Sequence, residues 1–189
     1  MVSVVLIDNH DSFTWNLYQL FDESIYCKVE VISNDRINYE NLKKYDKIVF
    51  SPGPDIPKSY PQMNKIINEY AYTKSILGIC LGHQALIEHW GGNLLNLSPV
   101  SHGKKEKILI NNSDPLFKNL PESIEAGLYH SWAADERSLP GCFSIIAKSQ
   151  QNIIMGISHK QLDIKGIQFH PESYMTFHGK DIIENWIRE

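Results

Sequence analysis

Apolar residues in this chain come as short unbroken runs, separated by stretches in which they recur every three or four positions. Residues 3–7, 47–50 and 75–79 show no polar alternation, the mark of strands buried on both faces, and 28–32 reads as a further strand. Between them, Phe13, Leu17, Leu20 and Phe21 share one helical face, with Asp11 or Ser12 as N-cap, and 62–72 reads as a second helix. Strands alternating with helices in this way predict parallel pairing through right-handed crossovers. From about residue 93 to 158 the pattern changes: strand-like runs at 107–110, 143–147 and 153–157 are separated by turns such as Asn111-Asn112-Ser113, which favours antiparallel hairpins. A strand at 166–169 and a helix at 180–187 complete the pattern. The predicted fold class is α/β, an open, mostly parallel twisted sheet flanked by helices with added antiparallel hairpins. With no linker or compositional break, residues 1–189 read as one domain.

Composition narrows the function. Eighteen Lys and Arg against 22 Asp and Glu give a net charge of −4, so no basic excess favours nucleic acid as a partner. The apolar run at 4–7 stops at Asp8, far short of the roughly 20 residues of a membrane span, and no signal peptide is visible. Three cysteines, an odd number without secretory context, argue against a disulfide framework and for a reducing, cytoplasmic setting.

The most specific chemical signal is Gly78-Ile79-Cys80-Leu81-Gly82, between a strand and a helix-like run at 84–89. It has the form of a nucleophile elbow, a strained strand-to-helix turn whose crowded backbone demands glycines two positions either side. The helix start next to Cys80 would favour thiolate over thiol, and the Leu81 N–H would face a developing oxyanion. Cys27 and Cys142 lack such a frame and read as small buried hydrophobes. A second constellation, Gln168-Phe169-His170-Pro171-Glu172-Ser173, falls at the C-terminal end of a predicted strand, where sites of open α/β sheets collect. In extended backbone His170 and Glu172 would project to one side, the carboxylate orienting an imidazole that serves Cys80 as base. A third, Ser51-Pro52-Gly53-Pro54-Asp55-Ile56-Pro57, is by composition a turn, placed so that the Gly53 N–H could reach the same oxyanion. The remaining histidines, His10, His83, His89, His102, His130, His159 and His178, have no metal-ligand spacing and read as surface or locally hydrogen-bonded groups, so no metal site is expected. Trp15, Trp90 and Trp186 read as core or interface packing.

Together these blocks resemble the class I, or triad, glutamine amidotransferases. The opening Asp8-Asn9-His10-Asp11-Ser12-Phe13-Thr14-Trp15-Asn16-Leu17 is similar to the small glutaminase components of anthranilate and aminodeoxychorismate synthases, as are His102-Gly103-Lys104 and Tyr129-His130-Ser131. The resemblance implies that Cys80 attacks the side-chain amide of L-glutamine, that His170 relays the proton to ammonia, and that Glu172 orients His170. It further implies an oxyanion hole at Gly53 and Leu81, and a glutamine pocket at Gly53, Pro54, Asp55, Gln84, Ser131 and Trp132. No cofactor is implied on this chain; the partner implied is a larger chorismate-binding synthase subunit that receives the ammonia. Two departures flank the chemistry: Asp55 replaces the second glycine of Pro-Gly-Pro-Gly, which implies a left-handed backbone or a carboxylate near the pocket, and Leu128 replaces the arginine before Tyr-His-Ser. Competing readings are a free-standing cysteine hydrolase of γ-glutamyl amides and a catalytically weak, partner-stabilising subunit.

Overall fold

The computed structural model describes residues 1–98 and 103–189. In chain order its main elements are β1 (Val2–Asp8), α1 (Thr14–Asp22), β2 (Cys27–Ser33), β3 (Lys47–Phe50), α2 (Pro61–Tyr70), β4 (Ser75–Ile79), α3 (Leu81–His89), β5 (Leu94–Ile110), β6 (Ser123–Ala134), β7 (Phe143–Ser149), β8 (Ile154–His159), β9 (Ile164–Ile167) and α4 (Gly179–Arg188).

The first strand shows why the apolar runs do not alternate. Val4 and Leu6 enter one buried cluster with Leu17, Phe21 and Trp186, whereas Val5 and Ile7 enter another with Met63, Ile66 and Leu86. Helices cover both faces, so each position of such a strand is buried. The strands form one nine-stranded sheet in the order β2-β1-β3-β4-β9-β8-β7-β5-β6. The block from β2 to β9 is parallel, and the block from β9 through β8, β7 and β5 to β6 is antiparallel. The expectation of a mostly parallel sheet is therefore corrected: parallel and antiparallel pairings balance. The difference arises in β5, far longer than 107–110, and in β6, which the apolar pattern does not reveal. The sequence of β6, Ser-Ile-Glu-Ala-Gly-Leu-Tyr-His-Ser-Trp-Ala-Ala, alternates only over 123–128, where Ile124, Ala126 and Leu128 are buried, and loses that period from Tyr129 on, where its long antiparallel ladder with β5 sets its conformation.

Smaller corrections follow from local chemistry. Residue Phe13, not Asp11 or Ser12, occupies the cap position of α1. Asp11 still organises that turn, because its Oδ1 accepts the Phe13 N–H at 2.7 Å and its backbone carbonyl accepts the Thr14 N–H at 3.2 Å. Trp186 is fully buried and Trp90 packs between Phe143 and His159, but Trp15 is 65% exposed and is no part of the core. Cys27 is buried as predicted, donating its S–H to the Phe21 carbonyl, whereas Cys142 is only half-buried.

Candidate active site

Cys80 joins β4 to α3 at φ 51°, ψ −99°, a conformation that a side chain adopts only under constraint. Two backbone hydrogen bonds supply it: the Cys80 N–H donates to Ile167 at 2.8 Å, and the Cys80 carbonyl accepts the Gln84 N–H at 3.1 Å. The flanking glycines are steric necessities. A Cβ on Gly78 would lie 2.5 Å from the Gly82 carbonyl group, and one on Gly82 would lie 2.6 Å from the Phe50 side chain. The turn thus places the sulfur of Cys80, a residue only 6% exposed, at the positive end of α3.

Beyond β9 the chain runs through Gln168 and Phe169 to His170, whose backbone N–H donates to Gly127 of β6 at 3.1 Å. Glu172 sits in a turn, not in the extended backbone expected, yet its Oε1 lies 2.7 Å from His170 Nδ1. The turn is held by Thr176, whose hydroxyl donates to the His170 carbonyl at 2.6 Å and accepts the Gly127 N–H at 3.0 Å. Edges of the Tyr129 and Phe13 rings wall the imidazole, with centroids 4.9 and 6.0 Å from it. Burial of His170 opposes its charged form, but the fields of Cys80 and Glu172 prevail and raise its pKa well above 6.5. His170 Nε2 is buried with no hydrogen-bond partner of ordinary geometry among the described residues, within the electrostatic reach of the Cys80 sulfur.

A cavity of about 120 Å³ opens over the sulfur. Gly53, Pro54 and Asp55 line it from the loop after β3, Cys80, Leu81 and Gln84 from the elbow and α3, and Ser131 and Trp132 from β6. The pocket residues picked from sequence converge, joined by Tyr129 and His130, to which the sequence motifs assign no role. Gly53 is pressed against Leu81, because a Cβ there would come within 2.6 Å of the Leu81 side chain. Asp55 has φ 71°, the left-handed conformation implied by the glycine it replaces, and its carboxylate accepts the Ser59 hydroxyl at 2.5 Å. Leu128 is buried in the core and does not line the cavity. A larger hollow of about 540 Å³ beside α2 and α3 contains none of Cys80, His170 and Glu172.

The histidine reading needs one correction. His83 is buried, not a surface group; His130 is buried too but keeps a local partner, its Nδ1 lying 2.9 Å from the Trp132 carbonyl oxygen, and burial pushes the two pKa values down to about 3 and about 4. His89 and His178 do have local partners, Asn64 and Asp181. His102 lies outside the described residues. Among the described residues, no three His, Cys, Asp or Glu side chains converge in a metal-binding cluster, and no helix is long and apolar enough to cross a membrane.

Residues 5–189 match the family model "Glutamine amidotransferase class-I". Over 186 residues the chain is 41% identical to the aminodeoxychorismate synthase component 2 of Escherichia coli, a match covering 97% of this chain and 98% of that one. It is also 41% identical over 187 residues to the anthranilate synthase component 2 of Pyropia yezoensis, covering 97% and 98% of the two chains. A crystal structure from Thermoplasma acidophilum, described as that of a GMP synthase subunit, superposes with a TM-score of 0.89 at 28% identity, covering all of this chain and 93% of the other.

Proposed function

The chain belongs to the class I glutamine amidotransferases, and on that premise we propose that it is a glutaminase component that hydrolyses L-glutamine at Cys80 and passes the ammonia to a larger, chorismate-using synthase subunit. The observation that carries the chemistry is the convergence of Cys80, at a strained elbow under a small cavity, with the His170–Glu172 pair, whose imidazole lies within electrostatic reach of the sulfur. The Cys80 thiolate attacks the side-chain amide carbon, and the carbonyl oxygen takes the negative charge opposite the Gly53 and Leu81 amides. As that intermediate collapses, the C–N bond breaks and the His170 imidazolium protonates the departing nitrogen, which leaves as ammonia. A γ-glutamyl thioester remains on Cys80. Neutral His170 then takes a proton from water, the hydroxide attacks the thioester, and glutamate leaves as the thiolate is restored. Glu172 fixes the imidazole through Nδ1 in both half-reactions. Gln84 and the backbone around Ser131 and Trp132 hold the substrate, beside Pro54 and Asp55.

The names of the relatives, components of anthranilate and aminodeoxychorismate synthases, support a partner that uses chorismate. The test is synthesis by the complex with each nitrogen source. Cys80→Ser should abolish glutamine-dependent synthesis and leave ammonia-dependent synthesis near wild type, because the sulfur is needed only to liberate ammonia. Equal loss of both would assign Cys80 a structural role instead.

A further inference from the structure

Gln168 is completely buried, and nothing in the reaction above uses it. Its Nε2 lies 3.5 Å from the Cys80 sulfur, and its Oε1 lies 3.2 Å from Gln84 Nε2, which is also 2.9 Å from the Trp132 carbonyl oxygen. The orientation of both amides follows from the far end of this chain of contacts. A backbone carbonyl can only accept, so the Gln84 NH2 group must face Trp132. One of its hydrogens goes to that carbonyl and the other to the Gln168 oxygen. The Gln168 NH2 is thereby turned toward the sulfur.

We propose that Gln168 is a positioning residue for the nucleophile: its side-chain amide, oriented by Gln84, donates to the Cys80 sulfur and favours the thiolate. A donor within a buried site acts on the anion without competition from water. The relay also links the sulfur to Gln84 and Trp132, two walls of the cavity, so that whatever fills the cavity acts on the amide that holds the nucleophile. The ionisable group facing the sulfur is His170, with Glu172 and Asp11 behind it; His130 of β6 lines the same cavity, and His83 of α3 faces His130. None of them is replaced by a change at Gln168, so an effect of that change on the sulfur reports the amide.

The inference rests on the glutaminase reading of the Cys80 site, but its test reads the sulfur directly and needs no substrate. The experiment is the pH dependence of Cys80 alkylation by iodoacetamide, followed by mass, in wild type, Gln168→Met and Gln84→Met, with thermal unfolding as the check on folding. Losing one hydrogen bond to a charged sulfur should move the alkylation midpoint upward by about one to two pH units in Gln168→Met. Gln84→Met should move it in the same direction by less, and the double variant should be no worse than Gln168→Met alone. A folded Gln168→Met with the wild-type midpoint overturns the proposal, as does a Gln84→Met shift that simply adds to that of Gln168→Met. If Gln168→Met unfolds, the Gln84→Met midpoint decides alone: an upward shift supports the relay, and no shift overturns it. Were Cys80→Ser to spare glutamine-dependent synthesis, the glutaminase reading would fail while these midpoints still decided the role of the amide.

Discussion

Asp55 holds its backbone at φ 71°, where a residue with a side chain costs about 1–2 kcal/mol and glycine does not. It also places a carboxylate on the rim of a pocket whose proposed substrate carries an α-carboxylate of its own. Asp55→Gly should therefore lower the KM for glutamine several-fold with kcat little changed; an unchanged or higher KM would show that the Ser59 contact keeps this carboxylate out of the substrate's way. The neighbouring glycines work in the opposite sense. Gly82→Ala must push against Phe50 at 2.6 Å, and we expect a loss of roughly 1–3 kcal/mol in unfolding free energy together with loss of glutaminase activity. A normal melting temperature and full activity would contradict the steric account of the elbow. At this scale the sequence is most legible where covalent geometry forces residue choice: an elbow needs small neighbours, and a proline–glycine loop is a turn. Gln168, Tyr129 and His130 are not legible in this way, because each owes its place in the site to contacts with residues far away in the chain.

The elements that build the site are the end of β4 with the start of α3, the loops after β3 and β9, the strand β6 and the start of the last helix. Gly179, the first residue of α4, packs so tightly on the triad turn that a Cβ there would lie 1.8 Å from the Pro171 carbonyl oxygen. Gly179→Ala should displace that turn and loosen the His170–Glu172 pair. We expect kcat to fall at least tenfold while the iodoacetamide-reactive Cys80 remains; wild-type kcat would mean that α4 shifts without moving the turn. The central parallel strands β1, β3 and β4 are legible in the sequence to within a residue or two, because a strand covered on both faces is a continuous apolar run, whereas the edge strand β2 exposes Lys28 and Glu30, and β9 spans 164–167, not the expected 166–169. The strands β5 and β6 escape because their exposed positions interrupt the pattern, and their pairing rather than their composition defines them.

Across the whole molecule, burial of two neutral histidines makes stability depend on pH. With folded-state values of about 3 for His83 and about 4 for His130 against an ordinary 6.5, the unfolded chain takes up protons first as pH falls. Their contribution is present above 6.5 and is lost toward acid, roughly 2–3 kcal/mol for each by about pH 4.5. His170 acts oppositely: its raised pKa gives stability that is fully present below 6.5 and is lost only as pH rises from 6.5 through the higher folded-state value, so it does not offset the acid loss. Melting temperatures should therefore drop steeply between about pH 6.5 and 4.5. A His130→Gln variant should lose less over that interval, and an unchanged slope would contradict the burial account. Cys80, His170 and the pocket walls come from separate strands, loops and the start of α3, and the central claim is that they form one acyl-transfer site. The most direct measurement is intact-mass analysis of the protein quenched in acid during turnover with glutamine. We predict an adduct of one γ-glutamyl group, mapped to Cys80 by peptide analysis and absent from Cys80→Ser. Glutamate release without any adduct at Cys80, or an adduct that persists in Cys80→Ser, would contradict it.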